Sequence, residues 1–123
     1  MSRILLVEDD ADLAALLRRW LERAGHTVQH AADGPAGLKM LEADPLPDLV
    51  LLDVMLPKLD GFEVLRRVRA TERTKGLPVI MVTSFSRDKD QKRGRELGAD
   101  DYIVKPLMEL DFLKRVEHLL KDQ

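Results

Sequence analysis

The sequence predicts an α/β fold: a five-stranded, parallel, doubly wound sheet with five helices. Three observations carry that prediction. Apolar runs at 4–7, 49–52 and 79–82 are continuous rather than alternating, as strands buried on both faces require. The stretches between them are long enough for crossover helices. Those stretches also carry apolar residues at three- and four-residue spacing, so strand and helix alternate along the chain. At 123 residues the chain is the size of one domain, assigned here to 1–123.

Each element has its own signal. Strand 4–7 (Ile-Leu-Leu-Val) leads into a helix marked by Leu13, Leu16, Leu17, Trp20, Leu21 and Ala24, with Gly25 as its C-terminal stop. Residues 27–31 are half polar and suit an edge strand. Pro35 fits the first turn of a helix over 36–43. After strand 49–52, Asp60 and Glu63 form an acidic capping box ahead of Phe62, Val64, Leu65 and Val68. Strand 79–82 precedes a helix over 87–97 that is mostly charged and contains Gly94, the helix least secured by its own sequence. Strand 102–104 and a helix marked by Leu110, Leu113, Val116 and Leu120, with Phe112 and Leu119 beside the stripe, complete the pattern.

Composition narrows the function classes. Hydrophobic residues at 45% and charged residues at 34% exclude a disordered chain or a fibre. Twenty basic against twenty-two acidic residues, net −2, with no strongly basic segment read along the chain, argue against direct nucleic-acid binding. Zero cysteines remove disulfides, thiolate nucleophiles and cysteine-ligated metals. With no membrane-length apolar stretch and no signal-peptide pattern, a cytoplasmic protein without membrane contact is expected.

In an open α/β sheet ligands bind beyond the carboxyl ends of the strands. There the first run ends in Glu8-Asp9-Asp10, the third in Asp53, the fourth in Thr83-Ser84 and the fifth in Lys105-Pro106. Converging carboxylates repel unless a cation or an ammonium sits among them. Oxygen ligands alone favour Mg²⁺, with Mn²⁺ as a substitute. Carboxylate, divalent ion, lysine and hydroxyl together are equipment for phosphoryl transfer, with Asp53 as nucleophile. Taken singly these residues have plainer readings: Asp10, Asp60 or Thr83 as helix caps, Lys105 as a surface lysine. Their shared placement argues against those. His26, His30 and His118 read as solvent-facing or turn residues, Trp20 as partial core, and the charges from Arg87 to Glu96 as a solvated helix face, with a docking surface as the less common alternative.

The motifs Val-Glu8-Asp9-Asp10, Leu-Leu-Asp53-Val-Met-Leu-Pro57-Lys-Leu-Asp60-Gly61, Val-Thr83-Ser84 and Gly98-Ala-Asp-Asp101-Tyr102-Ile-Val-Lys105-Pro106 span the chain. In that order they resemble the receiver domain of two-component response regulators, of the chemotaxis-regulator-like kind. The resemblance implies a flavodoxin-like strand order 2-1-3-4-5 and a cis peptide bond between Lys105 and Pro106. It implies that Asp53 accepts a phosphoryl group from a histidine kinase or histidine phosphotransfer protein. It implies that Asp9, Asp53 and the Met55 backbone carbonyl bind Mg²⁺, with Glu8 acting through water. Lys105 then pairs with the phosphoryl group, while Thr83 and Tyr102 form the switch that alters the face of the fourth helix, fifth strand and fifth helix. A downstream protein target or an output domain reads that face, and no separate turnover substrate is implied. Asp101, Asp111 and Arg115 partly match the salt-bridge set through which winged-helix regulators form phosphorylation-dependent homodimers, whereas Gln91 and Phe112 depart from it. Phe85, two residues after Thr83, is placed to screen the phosphoryl group from water and slow its loss.

Other classes fit less well. A phosphatase of the haloacid-dehalogenase kind needs an acid two positions after its nucleophile, and that position is Met55. A flavin carrier needs Gly, Ser and Thr donors after the first strand, where this chain has Glu8-Asp9-Asp10. No Gly-x-Gly-x-x-Gly follows a strand, which disfavours a dinucleotide fold. The chain reads either as a single-domain regulator or as the receiver of a longer one with DNA-binding or enzymatic output.

Overall fold

The computed structural model describes residues 2–121. Met1, Asp122 and Gln123, which the 1–123 assignment includes, lie outside the described residues. In chain order the elements are β1 (Arg3–Val7), α1 (Ala11–Arg23), β2 (Thr27–Ala31), α2 (Gly34–Met40), β3 (Leu49–Leu52), α3 (Gly61–Ala70), β4 (Val79–Thr83), α4 (Asp88–Glu96), β5 (Asp101–Val104) and α5 (Glu109–Lys121). All pairings are parallel and the sheet order is β2-β1-β3-β4-β5. The fold class, the order and the edge position of β2 are as expected.

Side chains alternate across a strand, so each continuous apolar run divides between two cores. Leu5, Val7, Val50, Leu52 and Met81 face α2 and α3, packing on Phe62, Val64, Leu65 and Val68. Ile4, Leu6, Leu49, Leu51, Ile80 and Val82 face α1 and α5, packing on Leu17, Leu21, Phe112 and Val116. Trp20 lies at the edge of this second core, its ring 5.9 Å from that of Phe112, which matches its reading as partial core.

Two hydrogen-bonded clamps close the amino ends of the strands. The Asp48 N–H donates to the Arg3 carbonyl at 2.7 Å, and the Arg3 N–H donates back to Asp48 Oδ2 at 2.8 Å. Asp100 does the same with Val79, both bonds at 2.8 Å.

Several expectations need correction. α2 ends at Met40, three residues before Ala43, in a chain of tight turns after Leu41. Its N-cap is Asp33, which accepts the Ala36 N–H at 2.7 Å. Asp60 caps α3 by accepting the Glu63 N–H at 3.1 Å, but the Glu63 carboxylate does not return the bond. It binds Arg66 and Arg67 instead, and these hold its pKa down at about 2. His26 is buried rather than solvent-facing, with Nε2 against Glu117 Oε1. His30 is half-buried, with Nε2 2.6 Å from the Glu8 carbonyl oxygen. α4 is not wholly a solvated face either, because Asp90 is buried and takes a hydrogen bond from Arg87 Nε at 3.2 Å.

Gly94 accounts for the weak sequence signal of α4. A Cβ there would lie 2.9 Å from Tyr102 Cδ2, so the helix gives up propensity to let the Tyr102 ring pack beneath it. Gly25 adopts φ +97°, the left-handed conformation that ends α1.

Candidate functional site

The carboxyl ends of β1, β3, β4 and β5 lie side by side because the order puts β1 beside β3, β3 beside β4 and β4 beside β5. Glu8 follows β1 and Asp53 follows β3. The Asp53 N–H donates to the Val7 carbonyl at 3.1 Å, which carries the sheet ladder one residue past β3. Both carboxylates are nearly buried, Glu8 at 2% and Asp53 at 5% exposure. Asp9 is exposed beside them, and Glu8, Asp9 and Asp53 each offer an oxygen within 4.8 Å of the others.

The ammonium of Lys105 is the internal counterion. Its Nζ donates to Asp53 Oδ2 at 3.0 Å and to Glu8 Oε1 at 3.1 Å. The Lys105–Pro106 peptide bond is cis. Burial works against the Lys105 charge, but hydrogen bonds and attraction to Asp53 and then Glu8 outweigh it and raise its pKa. One cation between two buried anions leaves a net negative site. Burial raises the Glu8 pKa to about 7, and the Asp53 charge adds to this against the lowering effects of the Asp10 N–H and Lys105.

These groups line a cavity of about 510 Å³ together with Asp10, Met55, Pro57 and Ser84. Hard oxygen donors at this spacing, with partial negative charge left over, fit a divalent cation of the Mg²⁺ type. Asp10 is otherwise engaged: its carboxylate caps α1 by accepting the Asp12 and Leu13 N–H groups. The cap reading therefore holds for Asp10, as it does for Asp60.

Thr83 stands behind this cavity. It is 0% exposed, and Oγ1 accepts the Phe85 N–H at 3.3 Å. The hydroxyl-bearing residue in the wall is Ser84. Tyr102 is turned inward at 7% exposure, its hydroxyl donating to the Phe85 carbonyl at 2.7 Å. Burial first, then the charges of Asp90 and Asp53, push its pKa up to about 12, so the hydroxyl keeps the proton it donates. Phe85 thus joins Thr83 and Tyr102 through its backbone. Its side chain lines a neighbouring cavity with Phe62 and stands outside the carboxylate-cavity wall, so the screening expected of it has no support here.

Gly61 has a role that its place in a motif did not explain. A Cβ there would lie 2.0 Å from the Asp53 carbonyl oxygen and 2.9 Å from Val54 Cα, and the Gly61 N–H donates to the Val54 carbonyl at 2.8 Å. The start of α3 can press against the Asp53 loop only without a side chain. On the other side of the sheet end, Arg115 binds Asp101 at 3.3 Å, Asp111 at 3.3 Å and the Tyr102 carbonyl at 3.3 Å, all within the chain.

Fold and site together define a parallel α/β domain with an acidic pocket and a lysine at its strand ends. Residues 4–117 match the response regulator receiver domain model, and the chain belongs to that family. It is a receiver domain of two-component signal transduction. Over 121 residues it is 45% identical to the DNA-binding dual master transcriptional regulator RpaA of Synechocystis sp., covering 98% of this chain and 50% of that one. The chain spans about half the length of the curated relatives it matches. A CheY-like response regulator receiver domain protein from Methanospirillum hungatei JF-1 superposes with a TM-score of 0.91 at 31% identity, covering 99% of this chain and 95% of that one. The receiver domain of sensor histidine kinase PA1611 from Pseudomonas aeruginosa PAO1, solved with magnesium in its active-site cleft, superposes at 0.89 with 28% identity, covering 98% of each chain. No helix among the described residues is long and apolar enough to cross a membrane.

Proposed function

We propose that Asp53 is the phosphoacceptor and takes its phosphoryl group from a phosphohistidine on a histidine kinase or histidine phosphotransfer protein. An Asp53 oxygen forms the new O–P bond as the N–P bond of the donor breaks, and the imidazole leaves with that electron pair. Asp9, Asp53 and the Met55 carbonyl would hold Mg²⁺, or Mn²⁺ in its place, with Glu8 acting through water. Bound there, the cation supplies charge neutralisation to the phosphoryl oxygens. Lys105 follows the charge: its ammonium, now shared between Asp53 and Glu8, pairs with the new phosphoryl group. In the return step water attacks phosphorus, regenerating the carboxylate and releasing inorganic phosphate, so the domain catalyses its own loading and unloading without a separate turnover substrate.

The readout runs through Thr83 and Tyr102. Moving the Thr83 hydroxyl toward the phosphoryl group releases the Phe85 N–H, and Phe85 in turn holds the Tyr102 hydroxyl. The balance of these bonds biases the α4–β5–α5 face between two arrangements. A downstream protein or an output domain in the cytoplasm reads that face. Asp101, Asp111 and Arg115 form a second readout, a phosphorylation-dependent homodimer, if Arg115 exchanges its internal carboxylates for those of a second copy.

The observation that supports this reading is the Lys105 ammonium bridging Asp53 and Glu8 next to Asp9. Intact mass after incubation with acetyl phosphate and Mg²⁺ tests it, beside Asp53→Ala. One added phosphoryl group, dependent on metal and absent from the variant, is expected. An unmodified wild type under conditions that label another receiver overturns it.

A further inference from the structure

Beside the carboxylate cavity lies a second one of about 620 Å³, lined by the start of α3 and the first turns of α4. Val54, Leu56, Phe62 and Phe85 make it apolar. Its size falls within the range that receives a ligand or an inserted side chain.

The cavity wall carries three cations, Arg87, Lys89 and Arg93, and two acids, Asp60 and Asp90, and it belongs to a basic stretch of the chain. Residues 66–95 carry ten of the chain's twenty cations but three of its twenty-two acids, a net +7, whereas the remainder carries −9. The near-zero total hides this. On α3 the cations are spent: Arg66 and Arg67 bind Glu63, and Arg69 binds Asp100. On α4 they are not. Among the described residues Lys89, Lys92, Arg93 and Arg95 have no carboxylate partner, and all four are exposed.

Lys89 and Arg93, one helical turn apart, line the cavity. The Arg93 guanidinium carbon sits 4.6 Å from the Phe62 ring centroid, so cation and aromatic face are held together there. The two acids in the wall are occupied. Asp90 binds Arg87, and Asp60 caps α3.

We propose that this cavity receives an acidic peptide segment of a partner protein, with carboxylates on Lys89 and Arg93 and one aromatic or large aliphatic side chain among Phe62, Phe85, Val54 and Leu56. Charge complementarity favours an anion, and the apolar lining favours a peptide over a phosphate backbone, which has no apolar side chain to fill it. The proposal does not depend on the phosphoacceptor chemistry.

Fluorescence anisotropy of a fluorescein-labelled peptide of alternating glutamate and aspartate around a central phenylalanine provides the test. Saturable binding is expected, weakened by about tenfold in Lys89→Glu and in Arg93→Glu. Serine in place of the phenylalanine is expected to weaken it by a similar factor, while Lys114→Glu on α5 leaves it unchanged. Far-ultraviolet circular dichroism checks that each variant is folded, and Lys89→Glu alone carries the test if Arg93→Glu is not. Absence of binding, equal binding of the serine peptide, or an equal loss in Lys114→Glu overturns the proposal. So does tighter binding of a labelled DNA duplex than of the peptide, which would make this a nucleic-acid surface. Sedimentation showing that the chain occupies the surface with a second copy of itself would also overturn it.

Discussion

Replacing Glu8 by glutamine removes a carboxylate that the fold holds at a cost. Glu8 is 2% exposed, and burial, with the Asp53 charge added, lifts its pKa from 4.5 to about 7. The folded value lies above the unfolded one. Between these two values the native state therefore keeps a proton that the unfolded chain has released, and stability falls as pH rises through that window. At about 1.36 kcal/mol per unit, the interval sets a ceiling of about 3 kcal/mol on the loss. The Glu8→Gln variant lacks this component. Urea unfolding of both proteins in chelator should show the variant gaining on wild type by about 2–3 kcal/mol between about pH 5 and about pH 8, or roughly 10 °C in Tm at this chain length. Taking the difference cancels the titrating groups that Glu8 does not touch, which both proteins share. A gap that stays constant within about 0.5 kcal/mol across that range would refute the assignment of a raised pKa to this side chain.

Three further outcomes follow from the same geometry. A proton on Glu8 competes with a bound cation, so Mg²⁺ affinity by isothermal titration calorimetry should fall as pH drops below about 7 and lose much of that dependence in Glu8→Gln. Gly61→Ala should displace the Asp53 loop, since the new methyl would overlap the Asp53 carbonyl; a loss of about 2 kcal/mol or more in urea unfolding and weaker labelling by acetyl phosphate are expected. Tyr102→Phe keeps the buried ring but removes the bond to the Phe85 carbonyl. It should cost about 1 kcal/mol and speed hydrogen exchange in the segment after β4.

Much of this was legible along the chain because the signals are local. The apolar runs at 4–7, 49–52 and 79–82 could be read as strands covered on both faces, and the polar residues that end them mark the site. The family motifs carried the strand order and the cis bond before Pro106, which periodicity alone does not contain. What escaped depends on partners distant in sequence. His26 looked exposed because its partner, Glu117, is ninety-one positions away. Glu8, Asp9 and Asp10 are equivalent as letters, and only the fold buries the first, exposes the second and turns the third into a cap. Gly94 looked like a weakness in α4 until the Tyr102 ring arrived beneath it from β5. The basic character of residues 66–95 was masked by a whole-chain charge near zero.

The clamps made by Asp48 with Arg3 and by Asp100 with Val79 bear on how this sheet avoids misassembly. Where one face of a strand is wet, a slip of one residue exposes its apolar side chains, so hydrophobicity selects the pairing. β3 and β4 are apolar on both faces, and a slip there would merely exchange Leu49 and Leu51 with Val50 and Leu52 between the two cores. Oil alone is nearly blind to that error. Polar anchors at the strand ends are not: a shifted β3 would part Asp48 from the Arg3 backbone and drag Asp53 away from the Val7 carbonyl and from Lys105. Asp48 and Asp100 at the amino ends and the Asp53–Lys105 pair at the carboxyl end therefore favour the one register in which all of them keep their partners.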